Sequence, residues 1–201
     1  MKKLLSTLLI STAVFAGAQA VSADQDIVQQ TTGDISVNGT LGVDNTDPGA
    51  TIPEGDKDWI NITVPTDAIF YNKNTENQIK SPVYNMTNKS GRPVKISIDK
   101  WTPNTLQQPL PANLDLNLEV AGGKVTTAST PLFIGAQIQA PTNELLTLAN
   151  EFDQFAKTDA PAAAGTAVNN QGTFKFTGNA NANTLVKLNY TLGLKFEAVK
   201  F

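Results

Sequence analysis

The stretch TLVKLNYTLGLKFEA, residues 184–198, decides the fold. From Val186 on, Leu188, Tyr190, Leu192, Leu194, Phe196 and Ala198 alternate with Lys187, Asn189, Thr191, Gly193, Lys195 and Glu197. A period of two puts one apolar face on a core and keeps the other in water only in a β-strand, where successive side chains point to opposite faces. At about 3.3 Å per residue the run predicts a strand roughly 40 Å long, a core element flanked by strands formed earlier in the chain.

Shorter strands lead up to it. Residues 34–43 alternate Ile35, Val37, Leu41 and Val43 with polar or glycine positions, and residues 59–65, 68–71 and 132–138 have strand character. Two hairpins are predicted. In one, residues 80–87 and 93–99 flank a turn at Asn88-Lys89-Ser90-Gly91-Arg92; in the other, residues 114–120 and 124–127 flank Gly122-Gly123. Gly172 and Gly178 bound a further strand.

One segment departs from period two. Leu145, Leu148, Ala149, Phe152, Phe155 and Ala156 fall on one helix face, with Thr142 at the N-cap position after Pro141, Glu144 in the first turn and Lys157 in the last. The pattern predicts a helix over 143–157, and a short strand over 144–148 is the alternative. The fold class is therefore mainly β, an antiparallel β-sandwich with one short helix near 143–157.

The N-terminus reads as an export signal. Lys2 and Lys3 precede an apolar run over residues 4–15, followed by Ala16-Gly17-Ala18-Gln19-Ala20-Val21-Ser22-Ala23. The run is too short to span a bilayer, and small residues suit cleavage after Ala20 or Ala23. The predicted organisation is a signal peptide over 1–23, a flexible leader over 24–33 and a single β-sandwich domain over 34–201. Removing residues 1–23 reduces 15 basic residues to 13 against 18 acidic, a net charge of −5. That balance argues against nucleic acid, and against an anionic membrane surface after signal cleavage. No C-terminal anchor is read, so attachment to a surface is expected to be non-covalent. The expected location is extracellular: secreted, at the cell surface or in the cell wall.

The chain has neither His nor Cys. Ser-His and Cys-His nucleophiles, imidazole zinc sites and disulfides are excluded together, and an exported protein without cysteine suits a Gram-positive bacterium. Glu54, Asp56 and Asp58 alternate, but Trp59 stands where a calcium loop needs its turn glycine, so they read as a solvated loop. Paired carboxylates for glycan hydrolysis are not marked by any spacing, and a carboxylate-based glycan hydrolase is the last of the alternatives. No catalytic residue, metal ligand or cofactor is assigned, and the chain is not read as an enzyme. Trp59, Trp101, Tyr71, Tyr84 and Tyr190 are candidates for a partner- or sugar-binding platform. Trp101 leads among them, because Lys100 and Thr102-Pro103 around it suggest a strand end exposed to solvent.

The terminal Tyr190-Thr191-Leu192-Gly193-Leu194-Lys195-Phe196-Glu197-Ala198 resembles the closing Tyr-x-x-x-Leu-x-Trp-x-Leu of the WxL-domain cell-surface proteins of Gram-positive bacteria. Gly39-Thr40-Leu41, Val64-Pro65 before Ile69-Phe70, and the strand between Gly172 and Gly178 fall in a similar order. Phe196 stands at the family's Trp and Ala198 at its Leu. The resemblance implies a mostly β surface protein held non-covalently on the cell wall, with other cell-surface proteins or peptidoglycan as partners and adhesion as its role. The candidate binding residues are Trp59, Trp101, Tyr190 and Phe196. A subunit of a surface fibre or biofilm matrix is the alternative, since the long terminal strand suits addition to a neighbour's sheet edge.

Overall fold

A computed structural model describes residues 44–73, 76–104, 110–163, 165–181 and 185–201. The signal peptide, the leader and the strand predicted over 34–43 lie outside the described residues. Leu41–Phe201 forms one compact unit. Its strands are β1 (Ile62–Thr63), β2 (Tyr84–Asn88), β3 (Val94–Pro103), β4 (Asp115–Gly122), β5 (Lys124–Val125), β6 (Ser129–Ile134), β7 (Gln137–Ile138), β8 (Glu144–Leu148), β9 (Gln171–Asn179) and β10 (Tyr190–Ala198). All pairings are antiparallel and give two sheets, of order β1-β2-β9-β4-β6-β7 and β10-β3-β8-β5. The fold is the expected β-sandwich. Leu116, Leu118 and Phe176 from the first sheet meet Ile96, Ile98 and Leu146 from the second, all fully or nearly buried in one core.

The predicted helix does not form. Residues 144–148 are β8, the strand alternative, and the chain beyond them turns. Leu145 is an extra residue in the ladder, because Leu146 pairs with Ile96 while Glu144 pairs with the next residue, Ser97. This bulge re-aims one side chain, so the adjacent Leu145 and Leu146 are both buried and the apolar spacing imitates a helix face. Burying Leu145, Leu146 and Leu148 stabilises by about 1.5–3 kcal/mol each, against helix-propensity differences below about 1 kcal/mol per residue. Burial decides the outcome. After Asn150, short polar side chains hold turns: Asn150 Oδ1 accepts the N–H of Phe152 and Gln154, and Asp159 Oδ2 accepts those of Phe155 and Ala156.

Neither predicted hairpin forms. Strand β2 belongs to the six-stranded sheet and β3 to the four-stranded one, so residues 88–92 cross between sheets. The buried Asn88 side chain holds that crossing, donating to the carbonyls of Arg92 and Ala149 and accepting the Ser90 N–H. Gly122-Gly123 also crosses, from β4 to β5, which pairs with β8. Conversely, residues 132–138, predicted as one strand, contain a hairpin: β6 turns into β7 at Gly135 and Ala136, both at positive φ as a tight two-residue turn requires. The strand predicted over 59–65 is β1, preceded by a 3-10 turn over Lys57–Trp59 that Asp56 caps. Of residues 68–71 only Tyr71 pairs, in a single bridge to Lys80. The glycine-bounded strand is β9, as expected.

The terminal run is a strand, but shorter and differently placed than predicted. It begins at Tyr190, and among the described strands it pairs with β3 alone, at the edge of its sheet. Nine residues span about 30 Å. Its apolar side chains Tyr190, Leu192, Leu194 and Phe196 pack on the core, yet each stays only half-buried, because no described strand lies beyond this edge.

A candidate binding groove along the edge strand

The open edge forms a groove of about 460 Å³. One wall is β10, contributing Tyr190, Leu192, Leu194 and Phe196, and residues 64–68 with Phe70 line it from the segment that follows β1. Phe174 and Phe176 of β9 and Trp101 of β3 complete the lining. The strand alternation places these groups: Phe174 and Phe176 are two residues apart and share the inner face, and Trp101 pairs with Leu192 across β3 and β10.

The aromatic rings are tightly arranged. Trp101 stacks on Tyr190 with centroids 4.7 Å apart and planes 13° apart, and Phe133 meets Tyr190 edge-on at 5.3 Å. Burial pushes the Tyr190 phenol pKa up. Trp101 is 5% exposed, and its indole N–H finds no acceptor among the described residues. Polar groups gather near Tyr190: Asn104 Nδ2 donates to Asn189 Oδ1 at 2.7 Å, and Thr191 Oγ1 donates to Asn104 Oδ1. Asp67 is the one carboxylate among the described lining residues.

Three of the four candidate binding residues therefore come together: Trp101, Tyr190 and Phe196 all line the groove. Trp101 is not the exposed residue predicted, because β3 continues through Pro103 and the rings of Tyr190, Phe133 and Phe176 pack on the indole. Trp59 does not join them. It is fully buried under the Arg92 guanidinium, 4.0 Å from its ring centroid, and donates from Nε1 to the Pro53 carbonyl. Tyr84 stacks on Phe174 and exchanges hydrogen bonds with the Ile69 backbone, and Tyr71 stands exposed away from the lining of the larger groove. The groove residues missed by sequence reading are Phe70, Phe174, Phe176 and Asn104. The Phe174-Lys175-Phe176 alternation was the signal available for two of them.

Arg92 organises the opposite end of β10. Its Nε and Nη2 bind the Glu54 carboxylate at 2.7–3.2 Å, its Nη1 donates to the Pro48 and Gly91 carbonyls, and the Phe201 ring lies 4.9 Å away. Asp56 and Asp58 are engaged locally, Asp56 with the Asp58 N–H and Asp58 with Lys57. Among the described residues no group of three or more His, Cys, Asp or Glu comes together to hold a metal ion. Arg92 keeps the Glu54 carboxyl below the ordinary value of 4.5. A lowered folded pKa contributes stability that is fully present above the unfolded value and is lost as pH falls through the folded one. Urea midpoints are therefore expected to fall as pH drops below about 4.5, and Glu54→Gln should flatten part of that fall. Equal acid sensitivity in both proteins would remove Glu54 from the account. Glu151, raised by burial, acts in the opposite sense.

Comparison with family models, with curated proteins and with solved structures finds no match.

Proposed function

We propose that this chain is a secreted surface protein, held non-covalently at a Gram-positive cell wall, that binds other cell-surface proteins or peptidoglycan and serves adhesion. The observation that carries the reading is the groove, where Trp101, Tyr190 and Phe196 gather along an open edge of the sandwich. Concave, mostly apolar sites with a few convergent polar groups are where ligands bind, and aromatic rings beside amides suit both peptide and sugar surfaces. Phe196, at the position of the WxL family's Trp, lies in this groove, which favours attachment through it. The reading is non-enzymatic: glycan hydrolysis needs two carboxylates across a cleft, and the described lining offers Asp67.

The test uses residues 24–201 and purified Gram-positive cell walls. The protein is expected to sediment with the walls, and Tyr190→Ala to weaken retention at least tenfold while the circular dichroism spectrum stays unchanged. A protein that stays in the supernatant, or a Tyr190→Ala variant retained as well as the parent, would overturn the assignment of the groove.

A further inference from the structure

We infer that the outer face of the six-stranded sheet is a second binding surface, separate from the groove, and that it takes a neutral polysaccharide chain. The strand registers set its side chains in rows. Thr63, Thr87 and Gln171 lie abreast on β1, β2 and β9, and Asn85, Thr173 and Ala121 lie abreast on β2, β9 and β4. Met86, Phe174 and Val120, their neighbours in sequence, are buried in the core, so strand alternation turns these six outward. Thr63, Asn85, Ala121 and Gln171 are exposed, and Thr87 and Thr173 are half-buried between them.

These two rows carry hydroxyls, amides and a methyl group, and no charge. The next row does hold charges, but they cancel. Lys175 stands directly opposite Glu119 and binds it at 3.3 Å, and Thr177 Oγ1 donates to the same carboxylate at 2.7 Å. Farther along β4, Asp115 accepts the Gly135 N–H. The outer face of the four-stranded sheet is built differently. Lys124, Thr147, Lys95 and Glu197 lie abreast there, and Lys195 binds Glu197 as well. Lys100 covers Gly193, where a Cβ would sit 2.6 Å from its Cγ. Charge keeps that side of the sandwich hydrated, as on most protein surfaces, and the six-stranded side does without it.

Charge complementarity selects the occupant. A polyanion or a basic peptide finds no net charge on these rows to pair with, and an apolar partner finds no large apolar side chain. What the rows match is an extended chain of uncharged hydroxyl and acetamido groups, since Thr, Asn and Gln side chains both donate and accept. The rows repeat at about 7 Å along the strands and at about 4.8 Å from strand to strand, so a flat chain meets several side chains at once. Each contact is weak, and repetition along the polymer makes the attachment.

The test mixes residues 24–201 with particles of cellulose or of chitin, two neutral polysaccharides, and measures the bound fraction by sedimentation. Retention is expected to be equal at low and at molar sodium chloride, because no ion pair is formed with the ligand. Asn85→Ala combined with Gln171→Ala alters two exposed residues, which spares the fold, and should weaken retention at least fivefold. Thr173→Glu sets an unpaired charge under the bound chain and should weaken it further, with thermal melting by circular dichroism showing that each variant is folded. Lys195→Glu on the opposite face and Tyr190→Ala in the groove should bind the particles like the parent. No retention on either polysaccharide, retention that salt abolishes, or a double variant retained like the parent would overturn the inference. So would a dimer that the double variant abolishes, since a second copy would then own the face. Particle retention lost in Tyr190→Ala but kept in the double variant overturns the outer face and leaves the groove as the binding site. Particle retention kept by a protein that does not sediment with cell walls overturns the groove assignment and leaves the outer face standing.

Discussion

Arg92→Ala is expected to destabilise the protein by about 3 kcal/mol, a fall in Tm of about 6–12 °C for a domain of this size. Arg92 is 6% exposed and its guanidinium has partners on every side: Glu54, the carbonyls of Pro48 and Gly91, and the rings of Trp59 and Phe201. Removing it leaves the Pro48 carbonyl without its donor, leaves the Gly91 carbonyl only the long 3.5 Å bond from Asn150 Nδ2, and opens space against Trp59, which is fully buried. Glu54, with its side chain 41% exposed, regains water, which keeps the loss at the low end for a broken buried pair. Arg92→Lys keeps the charge but not the planar fork, so it should recover under half of the loss. Thermal melting of the three proteins checks both figures. An Arg92→Ala variant that melts within about 2 °C of the parent would show that the cluster contributes little to stability.

Gly123→Ala is expected to cost about 3 kcal/mol as well, for a different reason. At φ +56 an alanine costs about 1–2 kcal/mol of backbone strain, and its Cβ would sit 2.4 Å from the Thr147 carbonyl oxygen and 3.1 Å from Leu148. Thr147 is in β8, so the contact is relieved only by moving a central strand and the buried Leu148. Gly55 supplies the comparison. It also has positive φ, +81, but a Cβ there meets nothing within 4 Å, so Gly55→Ala should show the strain alone. Equal urea midpoints for the two variants would mean that the close approach between chain segments at Gly123 is unimportant, contrary to the geometry.

Particular residues show how far the sequence could be read. Tyr190, Leu192, Leu194 and Phe196 announce a strand because period two is a local property of the polypeptide; Tyr190 is marked as a binding residue by side-chain type, Trp101 by its type and its polar flanks, and Phe196 by the resemblance that the terminal run carries. That three of them share one groove follows from the antiparallel register of β3 and β10, which sets Leu192 opposite Trp101. Trp59 has the same chemistry, yet Arg92 claims its ring face. A residue's type cannot report which neighbour the fold will bring to it.

The sequence by itself determined the strand-rich class and the apolar alternation of the terminal run, because both depend on side chains within a few residues of one another. It also bounded the chemistry through the absence of histidine and cysteine. The tertiary structure alone decided which strands share a sheet. Asn88-Lys89-Ser90-Gly91-Arg92 and Gly122-Gly123 read as hairpin turns, and both cross between sheets, where each meets distant backbone: Asn88 donates to the Ala149 carbonyl, and Gly123 packs too closely on the Thr147 carbonyl to admit a Cβ. It likewise decided that Leu145 and Leu146 bury together in a bulged strand, since burial of both outweighs local helix preference. The position of β10 at an edge, which leaves its apolar face half-open as a groove, is set by pairings between residues about a hundred positions apart.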